Sequence, residues 1–437
     1  MRSASVFLIF FLFLILSVPD VSVAHADVLT LSDGLRLVIE ENRLIKITHR
    51  EEAVSEADTL LAKARMLPNI KTSLDQTFLA YQPGAIFGNQ SVPTAEKSFF
   101  SYSLSIQQTL YDFRGNASRY EASRMILDTK RLDTKRIRNI VSLDFTFIYF
   151  DLLESGKMVL VAEREVERLE AHLRDAKNLY KEGVITKNDL LQAEVKLSDA
   201  RQRLVSIKNL REIHASRFNN ALARPLKTDV KVMDVNETPS DSIEMDMEKT
   251  WEISEKQRPE IQIVDATLKS LNLEGASKKS EYYPRFFVQG AYDYTENRYQ
   301  LHEGNWSLTL GMDINIFSGG STMAGILKIE QQKLKLFEQK SKLIDEIKLE
   351  VEKYMLDLKA AKERVAVTRD AVQQAEENLR INRLRYEEGI GTATEVLDAV
   401  TLLTVAEANY YRSIYDFRKA EAGLMYSMGK DLWEVYK

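Results

Sequence analysis

Residues 383–410 read RLRYEEGIGTATEVLDAVTLLTVAEANY, a helix stop followed at once by a helix start. Gly389 can take the left-handed conformation that closes a helix, which a residue with a Cβ adopts only at a cost. Three residues on, Thr392 can cap the next helix, and Glu395 completes the capping-box spacing. The pattern has an echo upstream. Placing Tyr386 over Tyr180 sets Gly389 on Gly183, Thr392 on Thr186, Glu395 on Asp189, Leu397 on Leu191, Ala399 on Ala193 and Leu403 on Leu197. The chain is therefore an internal duplication, and each copy carries one turn between two antiparallel helices.

Outward from the second turn, residues 326–388 contain neither Gly nor Pro. At about 1.5 Å per residue they would reach nearly 95 Å, a rod longer than any compact domain needs. Within it Ile347, Val351, Tyr354, Leu358, Ala361, Val365, Thr368, Val372, Ala375 and Leu379 alternate spacings of four and three. That is the 3.5-residue period that supercoils helices left-handedly. Val396, Val400, Leu403, Tyr410, Ile414, Phe417 and Leu424 continue it on the return helix. The first-half rods are expected at about 116–181 and 187–222, with Gly156 as an irregularity.

Farther from the turns the period changes. Helical spacing runs from Leu31 to Pro68, and its second-half counterpart from Trp251 through Arg258-Pro259-Glu260 to Pro284. Beyond these, Trp306, Leu308, Leu310, Met312, Ile314 and Ile316 alternate with small or polar residues, the pattern of a strand with one apolar and one wet face. Phe100, Tyr102, Leu104, Ile106 and Leu110 repeat it in the first half. Weaker preceding strands lie at 69–81 and 285–294, and linkers holding Pro83, Gly84, Gly88 and Pro93, or Glu303 and Gly304, close two hairpins. The expectation is four strands. Strands of roughly ten residues, apolar outside and flanked by aromatics, suit a transmembrane barrel, although a half-exposed soluble sheet has the same alternation. Geometry separates the two: four strands leave two open edges, which a bilayer does not tolerate, and a closed barrel takes about eight or more. Several copies must then share one barrel, with every helix on one side of the membrane.

At the N-terminus Arg2, the apolar run Val6 to Leu16 and Ala24-His25-Ala26 read as a secretory signal cleaved before Asp27, too short to span a bilayer. With 0 Cys there is neither a disulfide framework nor a cysteine for a lipid anchor. A net charge of -5 gives no basic face for nucleic acid, and 29% charged residues suit long solvated helices. No H-E-x-x-H, Walker loop, G-x-S-x-G or paired-Cys motif is present, so no catalytic residue, metal ligand or cofactor is expected and the chain is not read as an enzyme. His49, His172, His214 and His302 are scattered and are expected on the surface.

A Tyr, a Gly three residues on, and then T-x-x-E-V-L-D-A resemble the turn of the trimeric TolC-like outer-membrane efflux proteins, in which the duplication is itself a trait. The resemblance covers nearly the whole chain after the signal. It implies a mainly α fold with a transmembrane β-hairpin pair: a trimeric 12-stranded barrel, four strands per chain, continued by a long α-helical coiled-coil tunnel. The organisation that follows is a signal peptide at 1–26, a first repeat at 27–223 with its tip near 183, and a linker or equatorial segment at 224–250. A second repeat follows at 251–429 with its tip near 389, and a short tail at 430–437.

The implied function is a passive outer-membrane conduit of a tripartite export system, moving small molecules or metal ions delivered by an inner-membrane transporter and a periplasmic adaptor. The same architecture serves type I protein secretion, and a periplasmic coiled-coil scaffold without a pore is the alternative of another class. The implied partners are two further copies in a homotrimer, the adaptor, the transporter and outer-membrane lipid. By the same resemblance Glu395 and Asp398 match acidic rings at the tunnel's constricted mouth, although a cap alone would account for Glu395. Tyr386 either fills the helix seam or bonds across the closed mouth with Asp189. Gly391 stands where the family pattern has an Arg that strengthens closure, so a weaker closure is expected. Glu182, Gly183 and Val184, with Glu388, Gly389 and Ile390, are the implied adaptor contacts.

Overall fold

The computed structural model describes residues 28–234 and 246–437. The signal expected at 1–26 and residues 235–245 of the linker lie outside the described residues. In chain order come α1 (Leu31–Glu41), α2 (Arg43–Ala64), β1 (Asn69–Phe78), β2 (Gly84–Phe87), β3 (Gln90–Pro93) and β4 (Ser98–Tyr111). They are followed by α3 (Gly115–Lys181), α4 (Lys187–Ala221), α5 (Met247–Gln257), α6 (Pro259–Lys279), β5 (Arg285–Thr295) and β6 (Gly304–Asp313). Last come α7 (Ser321–Glu387), α8 (Ala393–Ser427) and the short α9 (Leu432–Val435).

The duplication is exact in the rods. α3 and α7 each have 67 residues, and α4 and α8 each have 35. The shift that carries Tyr180 onto Tyr386 carries both ends of α3 onto those of α7, and both ends of α4 onto those of α8. A helix of 67 residues is about 100 Å long. Gly156 does not interrupt α3. One Gly costs a helix about 1 kcal/mol, too little to break a rod whose neighbours are packed on both sides.

Two expected helices are each divided. Asn42 takes an extended conformation between α1 and α2, and its side chain accepts from the Leu44 N–H to cap α2. Arg258, extended because Pro259 follows it, separates α5 from α6. Both breaks serve as joints. Asn42 donates to the Ala221 carbonyl at 3.2 Å. Arg258 is buried beneath the Tyr426 ring and reaches Glu350 at 2.9 Å and Glu260 at 3.1 Å.

A four-stranded antiparallel sheet, in the order β1-β4-β5-β6, stands at one end of the rods. Its register aligns the apolar residues across strands: Ile70 opposite Ile106, Leu74 opposite Tyr102, Leu104 opposite Tyr292, and Tyr292 opposite Trp306. The other face carries Lys71, Ser73, Ser103, Ser105, Gln289, Ser307 and Thr309. Because side chains alternate strictly along a strand, one face is mainly apolar and the other mainly polar, with Thr72, Gln76 and Gln108 as exceptions on the first and Phe99 and Phe287 on the second. Among the described residues no element covers the apolar face, on which Leu308 is 77% exposed and Leu74 66%. The edges, β1 and β6, are unpaired among the described residues. Against the four strands expected, the loop after β1 adds a second, two-stranded sheet, β2-β3. The Gly88 turn, at φ +61°, lets the chain reverse there, and the apolar-polar alternation that marks the barrel strands is absent from these four-residue strands.

At the midpoint of α3 the molecule has its largest core. Leu35, Val38, Val141, Phe145, Tyr149, Phe150, Phe218 and Tyr415 are buried together, with Val230, Val232, Trp433 and Tyr436 packed against them. Residues on both sides of the linker thereby form a small belt. Leu29 pairs with Val232, and the Tyr149 hydroxyl donates to the carbonyls of Leu29 and Met233. Toward the far end the rods narrow to α3, α4, α7 and α8, where Ile347, Val351, Ala361, Val365, Ala375, Val396, Val400, Leu403, Ile414 and Phe417 are buried along the seam.

Candidate functional site at the helix turns

Both turns close in the same way. The Val184 N–H donates to the Leu179 carbonyl and the Gly183 N–H to that of Tyr180, at 2.9 and 3.1 Å. Ile390 and Gly389 repeat this on Arg385 and Tyr386, at 2.9 and 3.1 Å. These are Schellman closures, and they need a left-handed residue, supplied by Gly183 at φ +76° and Gly389 at φ +74°. The hydrophobic residue after each glycine, which commonly folds back onto the helix, faces solvent instead: Ile390 is 72% exposed and Val184 54%. Glu182 and Glu388 beside them are exposed as well.

The following helices start on full capping boxes. Thr186 accepts from the Asp189 N–H while the Asp189 carboxylate accepts from the Thr186 N–H and hydroxyl at 3.0 and 2.7 Å. In the second copy the Thr392 N–H donates to Glu395 at 2.9 Å, which holds the Glu395 carboxyl below its usual range, and Arg385 lies 3.7 Å from the same carboxylate. Glu395 is thus a cap, as its spacing required. One turn on, Asp398 is exposed and has no side-chain partner among the described residues.

Gly391 has a local reason. Its N–H donates to the Arg385 carbonyl at 2.9 Å, and a Cβ there would stand 3.0 Å from the Tyr386 nitrogen. A side chain at 391 would crowd the last turn of α7.

Tyr386 is 2% exposed and packs with Ala393, Val396, Leu179, Ile185 and Leu379, so it fills the seam. Its hydroxyl is buried without a hydrogen-bond partner among the described residues. Within one chain it makes no bond to Asp189, whose Oδ2 accepts from the Thr186 N–H and hydroxyl. Burial first, then the Asp189 and Asp175 carboxylates, push the phenol's pKa up.

Its ring neighbour is His172, at 5.1 Å between centroids. The expectation that His172 lies on the surface is wrong: it is 4% exposed. Leu169, His172, Ala176 and Leu179 follow the three-four-three spacing of the seam, and that spacing was the available signal. Glu407 was missed for the same reason. It sits between Leu403 and Tyr410 in the α8 seam, is 3% exposed, and accepts both guanidinium nitrogens of Arg168 at 2.8 and 2.7 Å.

Residues 34–224 and 252–430 match the outer membrane efflux protein family. The chain belongs to this family. A curated relative, nodulation protein T of Rhizobium leguminosarum bv. trifolii, is 19% identical over 390 residues, spanning 88% of this chain and 82% of its own. Among solved structures, the CmeC outer membrane channel of Campylobacter jejuni superposes with a TM-score of 0.79 at 14% identity, covering 92% of this chain and 86% of that one. The outer membrane protein VceC of Vibrio cholerae gives 0.79 at 14% identity, covering 92% and 96%. The outer-membrane channel OprN gives 0.79 at 14%, covering 91% and 89%.

The fold of this efflux protein is that of the TolC-like channels, mainly helical with a β-hairpin pair. The family is one of outer membrane channels, not enzymes, and the outer membrane is where this chain belongs. In that setting the exposed apolar sheet face suits contact with lipid.

Proposed function

We propose that three copies of this chain close one 12-stranded barrel and serve as the passive outer-membrane duct of a tripartite export system. The observation that carries the reading is the four-stranded sheet with an exposed apolar face and two unpaired edges. In hydrocarbon each unpaired backbone group costs several kcal/mol, so β1 of one copy must pair with β6 of the next. The repeats at 27–223 and 251–429 then each contribute one hairpin and one helix pair to every third of the duct. The helices extend into the periplasm, and their turns meet an adaptor that joins the duct to an inner-membrane transporter. Small molecules or metal ions are the cargo on this reading.

In the trimer, Asp398 and Glu395 supply three carboxylates each to the mouth. Asp398 is the stronger contributor because no cap or ion pair engages it among the described residues. Glu182-Gly183-Val184 and Glu388-Gly389-Ile390 meet the adaptor, since exposed Val184 and Ile390 offer apolar contacts at the far end of every helix.

The chain has 0 Cys, so engineered thiols are unambiguous. Ser73→Cys on β1 can be combined in turn with Ser307→Cys, Thr309→Cys or Gly311→Cys on β6. Within one chain these strands are separated by two others, roughly 14 Å at 4.7–4.9 Å per step, so only a neighbouring copy can supply the partner thiol. Oxidation in outer membranes is expected to give a ladder ending at the trimer for at least one pair. Monomers with every pair, or a dimer as the largest species, would overturn the shared barrel.

A further inference from the structure

Residues 76–95, QTFLAYQPGAIFGNQSVPTA, contain no Asp, Glu, Lys or Arg, although 29% of the chain is charged. They cover the end of β1, the β2-β3 hairpin and its return toward β4. The backbone ladder does not stop where β1 and β4 do. The Leu79 N–H donates to the Lys97 carbonyl at 2.8 Å, and the Thr94 N–H to the Pro83 carbonyl at 2.9 Å. β1 and β4 thus run on into β2 and β3 as one ribbon, rising from the end of the sheet remote from the rods.

The second repeat braces the base of this ribbon. Buried Asn297 donates to the Thr94 carbonyl at 3.2 Å, Gln82 donates to the Tyr299 hydroxyl at 3.2 Å, and Arg298 pairs with Glu96 at 2.6 Å. Among the described residues nothing covers the tip in the same way: Ile86 is 80% exposed and Phe87 69%. The register sets Ala85 opposite Val92 and Ile86 opposite Ser91. Phe87 and Val92 therefore mark one face, and Ile86 and Pro93 the other. Both faces are uncharged, and each presents a large apolar side chain to solvent.

We propose that the ribbons of three copies pack side by side above the barrel, the Phe87-Val92 face of each on the Ile86-Pro93 face of the next, as an apolar collar at the outer end of the duct. This inference rests on the reading that three copies share one barrel.

Three observations favour a second copy as the occupant. The ribbon continues β1, which on that reading pairs with β6 of the next copy, so it stands beside the seam between copies. A ring of identical chains closes through two different surfaces on each, and the ribbon has two. Like charges gathered around a symmetry axis would repel, but the tip has none, and Arg298 engages Glu96 at the base. Lipid is a poorer occupant. From Leu104, on the lipid-facing side, to the Gly88 turn the strand path is about 50 Å at 3.3 Å per residue. Keeping the strand direction at a tilt of about 35–45°, it outruns an apolar band about 25 Å tall.

A narrow apolar ring sheds water and so resists hydrated ions, whereas an amphiphilic organic molecule crosses it by contact. The collar thus impedes metal ions at the exit and favours organic amphiphiles as cargo.

With 0 Cys in the chain, oxidation in outer membranes reads the contact directly. Ile86→Cys with Val92→Cys, or Ser91→Cys with Phe87→Cys, puts one thiol on each face, where the two cannot meet within a chain. At least one pair is expected to give a ladder ending at the trimer, while each single variant gives nothing larger than a dimer. Ile86→Ser combined with Phe87→Ser should leave the trimer assembled and raise its single-channel conductance roughly twofold or more. Monomers with both pairs, in membranes where Ser73→Cys still joins β6 into trimers, would overturn the collar and leave the shared barrel standing. Shielding of Phe87→Cys from a membrane-impermeant maleimide in those membranes would give the tip to lipid instead. Monomers with the Ser73 pairs as well would remove barrel and collar together. A trimer ladder with unchanged conductance in the serine variant would set the contact away from the exit path and overturn the constriction.

Discussion

Phe113 and Arg114, at φ +51° and +67°, occupy the left-handed region just before α3, and the duplication places them on Gly319 and Gly320 at φ +61° and +82°. The backbone is the same in both copies, yet only the second uses the residues that adopt it freely. In the first copy Phe113 stacks on Tyr283 at 4.7 Å and packs on Tyr111, which accounts for keeping the aromatic. Arg114 has only an exposed pair with Glu121, worth little. Arg114→Gly should therefore stabilise the protein by about 1 kcal/mol, read as a higher midpoint of thermal trimer dissociation in detergent, whereas Phe113→Gly should gain nothing because it forfeits the stack. At the same scale, Asp398→Asn should lower cation preference and weaken block by multivalent cations. Reversal potentials in a salt gradient measure it, and an unchanged preference would leave Glu395 as a cap alone.

The elements owe their contacts to a seam that is mostly apolar but has charged exceptions. Glu407 on α8 receives Arg168 from α3 and thereby ties the second repeat to the first. Removing one partner strands the other: Glu407→Ala should cost about 2–3 kcal/mol, the usual 3–5 for a buried pair reduced because Arg168 is partly exposed. Replacing both Glu407 and Arg168 by Leu should recover most of that loss, since hydrophobic pairs often match buried ion pairs. Thermal dissociation of the two variants distinguishes a packing role from an irreplaceable charge. The caps make a smaller, local claim: Thr392→Ala should cost about 1 kcal/mol and loosen the start of α8, seen as faster amide exchange at residues 393–396.

Over the whole molecule, the sheet and the turns are set at opposite ends of rods about 100 Å long, so each can be altered without the other. Ile390→Asp and Val184→Asp put a charge on each turn without touching its left-handed glycine. They should abolish tolerance to whatever compounds the wild-type gene protects against, while the trimer still reaches the outer membrane. Growth assays beside membrane fractionation read both quantities, and normal tolerance in the double variant would remove these turns from adaptor docking. Converting Leu308 and Leu310 to Lys, on the lipid-facing side of β6, should do the reverse. It should cost about 2–4 kcal/mol per residue at mid-bilayer and prevent assembly before any question of docking arises.

Local rules were enough to read the duplication, both turns with their Thr caps, the long seam and the alternating strands, because each is written in residues a few positions apart. A Gly that must be left-handed, a Thr three residues later and a 3.5-residue repeat leave their marks without any tertiary partner. The open edges of a four-stranded sheet also raised the expectation of further copies, since a strand's hydrogen bonds must end somewhere. What only the tertiary structure decided is what faces a polar side chain across the seam. His172 looked like a surface residue, and Glu407 drew no notice. Their burial and partners depend on how α3 settles against α7 and α8, from residues more than 200 positions away. Spacing places a residue on the seam, but a neighbour from the other repeat determines whether a charge there is paired, as Arg168 pairs Glu407.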